Sequence, residues 1–229
     1  MKLFRERFEV VEPGEADVAV SVGGDGTFLA AARGLPEDLP ILGVNMGRRG
    51  AVTDALPEDL PVAIRRLAEG DYCVEDRIRL EASMGAAAYE AINELYIYRK
   101  NPGPTPFFTV RYGPDEVYSE RMDGLIVSTP TGSTGYNLSA GGPVLPETAA
   151  SAVVTPVLPL TKVPSIVVPL DTGSWLEVEP SSPVTVVVDG QLSADPDAGT
   201  IRIGLSAHKL MVVRLRRVQF QHLRKTLCG

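Results

Sequence analysis

The apolar run Val18-Ala19-Val20-Ser21-Val22 leads straight into Gly23-Gly24-Asp25-Gly26, and Thr27-Phe28-Leu29-Ala30-Ala31-Ala32-Arg33 follows with the residues of a helix. A buried strand, a glycine turn and a helix start in immediate succession form an α/β unit with an anion site at the turn, because the first N–H groups of a helix lack intrahelical partners. Three glycines let phosphate oxygens reach the backbone with no Cβ in the way, which makes Gly23, Gly24, Gly26 and Thr27 the candidate phosphate-binding residues. Asp25 puts a carboxylate among groups otherwise suited to anions. A hydroxyl to deprotonate or a magnesium ion to face gives it a purpose, so Asp25 is the candidate catalytic residue. The plain alternative is a tight turn in which Asp25 caps the helix.

A second glycine-bearing loop lies about a hundred residues on. Asp123-Gly124-Leu125-Ile126-Val127-Ser128-Thr129-Pro130 reads as a strand that ends in Thr131-Gly132-Ser133-Thr134-Gly135-Tyr136, a surface rich in donors for phosphate and ribose oxygens. A solvated loop of a β protein is the alternative for this segment alone. Two such loops in one chain point to a phosphorylated ligand and to phosphoryl transfer.

Up to Gly70 short strands alternate with helical stretches: the strand before Gly23, a second strand Ile41-Leu42-Gly43-Val44-Asn45, and a helix from Glu58 to Glu69 closed by Gly70. After Asp71 the period changes to two, in Ile78 to Ala82, Leu95 to Tyr98, Phe107 to Tyr112 and Val184 to Val188. The expected architecture is an α/β domain over 1–70, a β-rich domain over 71–205, and a segment over 206–229 that returns to the first domain. Within that last segment Val218 to Leu227 carries helical spacing.

With 29 acidic against 22 basic residues, the chain lacks the basic excess that binds a nucleic-acid backbone. No run approaches the roughly 20 apolar residues that span a bilayer. Cys73 and Cys228 form no metal-spaced pair and read as reduced thiols, which points to the cytoplasm; no metal-ligating cluster is expected. The sequence has no Gly-x-x-x-x-Gly-Lys-Ser/Thr loop, no Gly-x-Gly-x-x-Gly fingerprint and no Gly-x-Ser-x-Gly elbow. With only His208 and His222 available, both near the C-terminus, the general base is expected to be a carboxylate.

Taken together, these segments resemble the NAD kinases. Gly23-Gly24-Asp25-Gly26-Thr27-Phe28-Leu29 is similar to a motif shared with diacylglycerol, sphingosine and 6-phosphofructokinases. Gly43 to Gly50 resembles the next family segment, and Asn93-Glu94 resembles its Asn-Glu pair. The run from Asp123 through Tyr136 to Asn137-Leu138-Ser139-Ala140-Gly141-Gly142-Pro143 is the specific part. The resemblance extends from about Asp17 to the C-terminus. It implies a two-domain NAD kinase-like fold and transfer of the γ-phosphate of ATP, with Mg2+, to the 2′-hydroxyl of the adenosine ribose of NAD. It also implies a homodimer or homotetramer with shared sites. By position, Asp25 resembles the proton acceptor and Gly26 part of the nucleotide cradle, while Asn93 and Glu94 resemble the pair that holds the adenosine half of NAD. Arg121 and Asp123 match positions that complete the site, Asp123 in a neighbouring subunit. Thr134, Gly135, Tyr136, Asn137, Leu138 and Ser139 match the stretch along the adenine and nicotinamide ends, with Leu158 and Gln191 as further positional matches. Gly135 stands where the family usually has alanine. Only 22 residues precede Gly23, where the family has a further strand and helix, so an uncovered sheet edge is expected. The rival readings are a lipid or sugar kinase of the same superfamily and a non-catalytic NAD or NADP sensor; polyphosphate in place of ATP stays open as donor.

Overall fold

The structure is a computed structural model and describes residues 2–47, 50, 52–196 and 199–215. The chain gathers into two compact units, the described parts of Met1–Arg77 and Lys209–Gly229 forming one and Ile78–His208 the other. The division falls within two long strands, β3 (Cys73–Met84) and β14 (Ile201–Arg214), a few residues past the composition changes at 70/71 and 205/206. The first change falls just before β3 begins and the second falls inside β14, whereas the compact units part in mid-strand.

The first unit is the expected α/β layer. β1 (Ala19–Gly23) and β2 (Ile41–Asn45) pair in parallel, Ala19 opposite Ile41 and Gly23 opposite Asn45. A parallel pair needs a crossover, and the helix between them, Asp25–Gly34, supplies it; it begins at Asp25 itself, with Gly24 as N-cap. All five residues of β2 are buried, as befits a parallel strand covered on both faces. β14 extends the sheet in parallel with Val212 opposite Ile41. The core holds Leu42, Val44, Ala63, Ile64 and Val213, with Leu60 and Leu67 packed on it from the helix Leu60–Ala68. That helix opens on a 3-10 turn at Pro57–Asp59 and ends before Gly70, whose φ of 67° lets the chain leave it. Among the described residues β1 pairs with β2 alone. A groove of about 720 Å³ lies in this unit, lined by Phe4, Phe8, Val18, Val20, Leu39 and Tyr72 among others.

The second unit is a β-sandwich. One sheet runs in the order β10 (Ile166–Pro169), β9 (Ser151–Val157), β8 (Gly124–Ser128), β5 (Glu94–Arg99), β12 (Val184–Val188), β13 (Leu192–Ala194). The facing layer includes β6 (Phe107–Tyr112), β7 (Asp115–Arg121), β11 (Trp175–Pro180) and the first part of β14. Leu95, Ile97, Leu125, Val127, Val154 and Val186 from the first sheet meet Phe108, Val110, Leu176, Val178 and Ile203 from the second, all fully buried. Alternation then places Glu94, Tyr96 and Tyr98 on the opposite face of β5. The expected helix over Val218 to Leu227 lies outside the described residues.

Candidate active site

The predicted residues fall in two groups, one in each unit. In the first unit the chain leaves β1 at Gly23 and enters the helix at Asp25. Gly23 is demanded by packing, since a Cβ would come 2.5 Å from Thr27 Oγ1. Gly24 and Gly26 are different: a Cβ on either would meet nothing within 4 Å, and neither has a positive φ. Neither protein packing nor backbone strain requires glycine at these two positions. Asp25 is half-buried, and its Oδ1 accepts from the Val52 N–H at 3.2 Å. The loop after β2 is tied to the same place by the Met46 N–H, which donates to Gly23 O at 3.0 Å. Gly26 and Thr27 are exposed on the first turn.

In the second unit Asn93 and Glu94 form a clamped turn at the start of β5. The Asp189 carboxylate accepts from three successive N–H groups, Ile92 at 3.0 Å, Asn93 at 2.6 Å and Glu94 at 3.1 Å. Asp189 reaches them because β12 pairs with β5 and because Asp189-Gly190 makes a left-handed turn, with φ of 49° and 65°. Nothing in the local sequence around Asp189-Gly190 marks this second role. Thr129 holds the other side: its N–H donates to Asn93 O at 2.8 Å, and its hydroxyl donates to Ile92 O at 2.7 Å while accepting from the Gly132 N–H at 3.0 Å. Gly132 is pressed so closely on the Asn93 carbonyl that no side chain fits.

This clamp presents groups that nothing among the described residues satisfies. Asn93 Oδ1, Glu94 Oε2, Thr131 Oγ1 and Thr134 Oγ1 are buried with no hydrogen-bond partner among the described residues. A buried polar atom without a partner costs about 1–3 kcal/mol. Burial first, and the charge of Asp189 second, push the Glu94 carboxyl up from 4.5 to about 7. At Gly135 a Cβ would lie 3.2 Å from Gly132 O and 3.6 Å from Glu94 Oε2, so glycine leaves more room over the carboxylate than alanine does.

The remaining predicted residues divide by exposure. Tyr136 is 46% exposed and opens the short helix Tyr136–Ser139; Ser139 is exposed and Leu138 half-buried. Asn137 is fully buried, and its amide is spent on the chain: Nδ2 donates to Ser133 O and Pro143 O, each at 2.9 Å, and Oδ1 accepts from the Thr155 hydroxyl at 2.7 Å. It holds the loop's shape. Asp123 pairs with Arg99 at 3.1 Å. Arg121 is exposed and lies over the Phe107 ring at 4.9 Å, Leu158 is 72% exposed with φ of 49°, and Gln191 is exposed beyond the Asp189 turn.

The family profile of the ATP-NAD kinase N-terminal domain matches residues 4–72, and that of the ATP-NAD kinase C-terminal domain matches residues 92–215. An NAD kinase of Pyrococcus abyssi is 38% identical over 215 residues, covering 90% of this chain and 76% of the relative. One from Methanopyrus kandleri is 33% identical over 214 residues, covering 92% and 77%. Among solved structures, an NAD kinase from Archaeoglobus fulgidus in complex with ATP superposes with a TM-score of 0.77 at 35% identity, over 87% of this chain and 78% of that one.

Proposed function

The chain belongs to the NAD kinase family, and from that premise we propose how its residues transfer the γ-phosphate of ATP to the 2′-hydroxyl of the adenosine ribose of NAD. Asp25 takes the proton of the ribose hydroxyl as the new P–O bond forms. Phosphoryl transfer asks for alignment and charge neutralisation more than for covalent chemistry, and a positioned base contributes about 10²- to 10⁴-fold. Gly23, Gly24, Gly26 and Thr27 cradle phosphates with backbone N–H groups, which accounts for glycines that neither packing nor φ requires. Residues 1–70 serve the phosphates, 71–205 bind NAD, and the last segment, described to Leu215, returns to the first domain.

The single observation that carries the reading of the second unit is its set of buried, unpartnered oxygens at Asn93, Glu94, Thr131 and Thr134. Oxygen acceptors in that setting suit ribose hydroxyls and the exocyclic amine of adenine. Thr134, Gly135, Tyr136, Leu138 and Ser139 extend the same surface; Asn137 supports it from behind. Arg121, Asp123, Leu158 and Gln191 complete the site at its rim.

No group of three or more His, Cys, Asp or Glu side chains that could hold a metal occurs among the described residues. A magnesium ion carried on the phosphates needs only one or two carboxylates, and Asp25 is the one at the glycine loop. When bound, it would neutralise phosphate charge. We place the enzyme in the cytoplasm as a homodimer or homotetramer. Leu158, Leu160 and Phe107, exposed at 72%, 63% and 42%, are apolar surface that an assembly would cover. No helix among the described residues is long and apolar enough to cross a membrane.

The test incubates the protein with NAD, ATP and Mg2+ and reads NADP with glucose-6-phosphate dehydrogenase. Wild type is expected to form NADP, and Asp25→Asn is expected to bind NAD normally while losing at least about 100-fold in turnover. An Asp25→Asn protein with near wild-type turnover would remove Asp25 from its role.

A further inference from the structure

Glu94, Tyr96 and Tyr98 leave the same face of β5, away from the core that Leu95 and Ile97 enter. The Tyr96 ring stacks on Tyr98, with centroids 4.8 Å apart and planes at 21°. It meets Tyr136 edge-on at 5.1 Å and 83°. The Tyr96 phenol lies within electrostatic reach of Tyr136 and of the Asp123 charge. Burial first, then Tyr136, pushes the Tyr96 phenol up to about 12, so it stays a neutral donor throughout the working range. Gly124 stands opposite Tyr98 in the register, and a Cβ there would come 3.0 Å from Tyr98 Cβ and 3.1 Å from Tyr96 Cε2. The strand partner is thus bare where the rings lie. The result is a continuous row of Glu94, Tyr96 and Tyr98 capped by the exposed ring of Tyr136.

We infer that Tyr96 is a positioning residue for the acceptor dinucleotide: it holds the Tyr136 ring in one orientation, so that the exposed ring forms a preset wall for a planar ring of NAD. The inference rests on the kinase reading and adds a residue to it. Tyr136 is the first residue of a four-residue helix and nearly half-exposed, so on its own its ring would have to be ordered when ligand arrives. An edge contact with a ring that is itself stacked on Tyr98 does that ordering in advance, and ordering a side chain on binding is a cost that weakens affinity. The alternation that carries Tyr96, Glu94-x-Tyr96-x-Tyr98, is visible in the sequence beside the Asn-Glu pair.

The experiment measures kcat and KM for NAD and for ATP in wild type, Tyr96→Phe and Tyr96→Leu, and records the 19F spectrum of 3-fluorotyrosine-labelled wild type as NAD is added. Tyr96→Leu loses the edge contact and is expected to raise the KM for NAD about three- to tenfold, with kcat and the KM for ATP within about twofold. Tyr96→Phe keeps the edge contact and is expected to hold the KM for NAD within about twofold of wild type. A merely structural role would lower the active fraction, and so kcat, without selecting NAD over ATP. NAD is expected to shift the Tyr96 and Tyr136 resonances, assigned through Tyr→Phe variants, whereas ATP alone leaves them in place. If Tyr96→Leu fails to fold, the wild-type resonances decide. An active wild type with an unchanged KM for NAD in Tyr96→Leu and unmoved Tyr136 and Tyr96 signals overturns the inference alone; a wild type that forms no NADP strikes the kinase reading beneath it.

Discussion

Glu94→Gln should make this protein more stable, by an amount that depends on pH in a defined way. Glu94 is 8% exposed, its Oε2 has no hydrogen-bond partner among the described residues, and its carboxyl is raised from 4.5 to about 7 by burial and by Asp189. A carboxyl raised on folding holds its proton more tightly in the folded chain than in the unfolded one. Below pH 4.5 both states are protonated, and Glu94 has no effect on the pH dependence. Between 4.5 and about 7 the unfolded state gives up the proton first, so stability falls as pH rises through that window; above it the penalty is constant. At 1.36 kcal/mol for each tenfold in proton affinity, the penalty levels off at about 3 kcal/mol. Glutamine keeps the shape and cannot ionise. The variant's advantage over wild type is therefore expected to grow by about 3 kcal/mol from pH 4.5 to pH 8, on top of any pH-independent offset from the amide. Urea unfolding followed by the fluorescence of Trp175 measures it, because that single tryptophan lies in β11, inside the same sandwich as Glu94. A difference between the two proteins that stays flat from pH 4.5 to 8 would refute the reasoning. The penalty has a functional meaning: a carboxylate held at a cost in the free protein gains most from a ligand that donates hydrogen bonds to it.

Asn93→Ala is expected to weaken NAD binding by about two- to tenfold, the worth of one buried hydrogen bond, and to leave ATP binding unchanged; calorimetric titration with each nucleotide checks it. Asp189→Ala strands the Ile92, Asn93 and Glu94 N–H groups and is expected to cost about 2–4 kcal/mol of stability in the Trp175 transition, together with NAD affinity. Asp189→Asn, which retains an acceptor, should recover part of both. If sites are shared between subunits, mixing inactive Asp25→Asn with inactive Asp123→Ala should restore some activity. Sedimentation that finds a fully active monomer would refute that sharing.

Much of the fold was legible because apolar runs bounded by glycine, proline or aspartate have few alternatives. Ile41–Asn45, Phe107–Tyr112 and Val184–Val188 are strands at those very residues. Ile78 to Ala82 was only the middle of a strand, Cys73–Met84, because Glu75, Asp76 and Arg77 read as polar chain. Arg77 is nonetheless 1% exposed, and its pair with Glu75 at 2.8 Å makes that burial tolerable, which no periodicity reveals. The glycine loops were visible as anion chemistry, yet only the structure separates Gly23, fixed by Thr27, from Gly24 and Gly26, where a Cβ would meet nothing within 4 Å. Asp189 was invisible for a different reason. It lies about a hundred residues from the turn it clamps, and only the β12–β5 pairing brings it there.

The most direct measurement of the central claim is a crystal structure with NAD bound. It should place the adenosine ribose with its 2′-hydroxyl within hydrogen-bond reach of an Asp25 carboxylate oxygen, about 2.6–3.2 Å, while Asn93 Oδ1 and Glu94 Oε2 take donors from the adenosine half. Adenosine bound with its 2′-hydroxyl turned away from Asp25, or with Asn93 and Glu94 left without a ligand partner, would contradict the account.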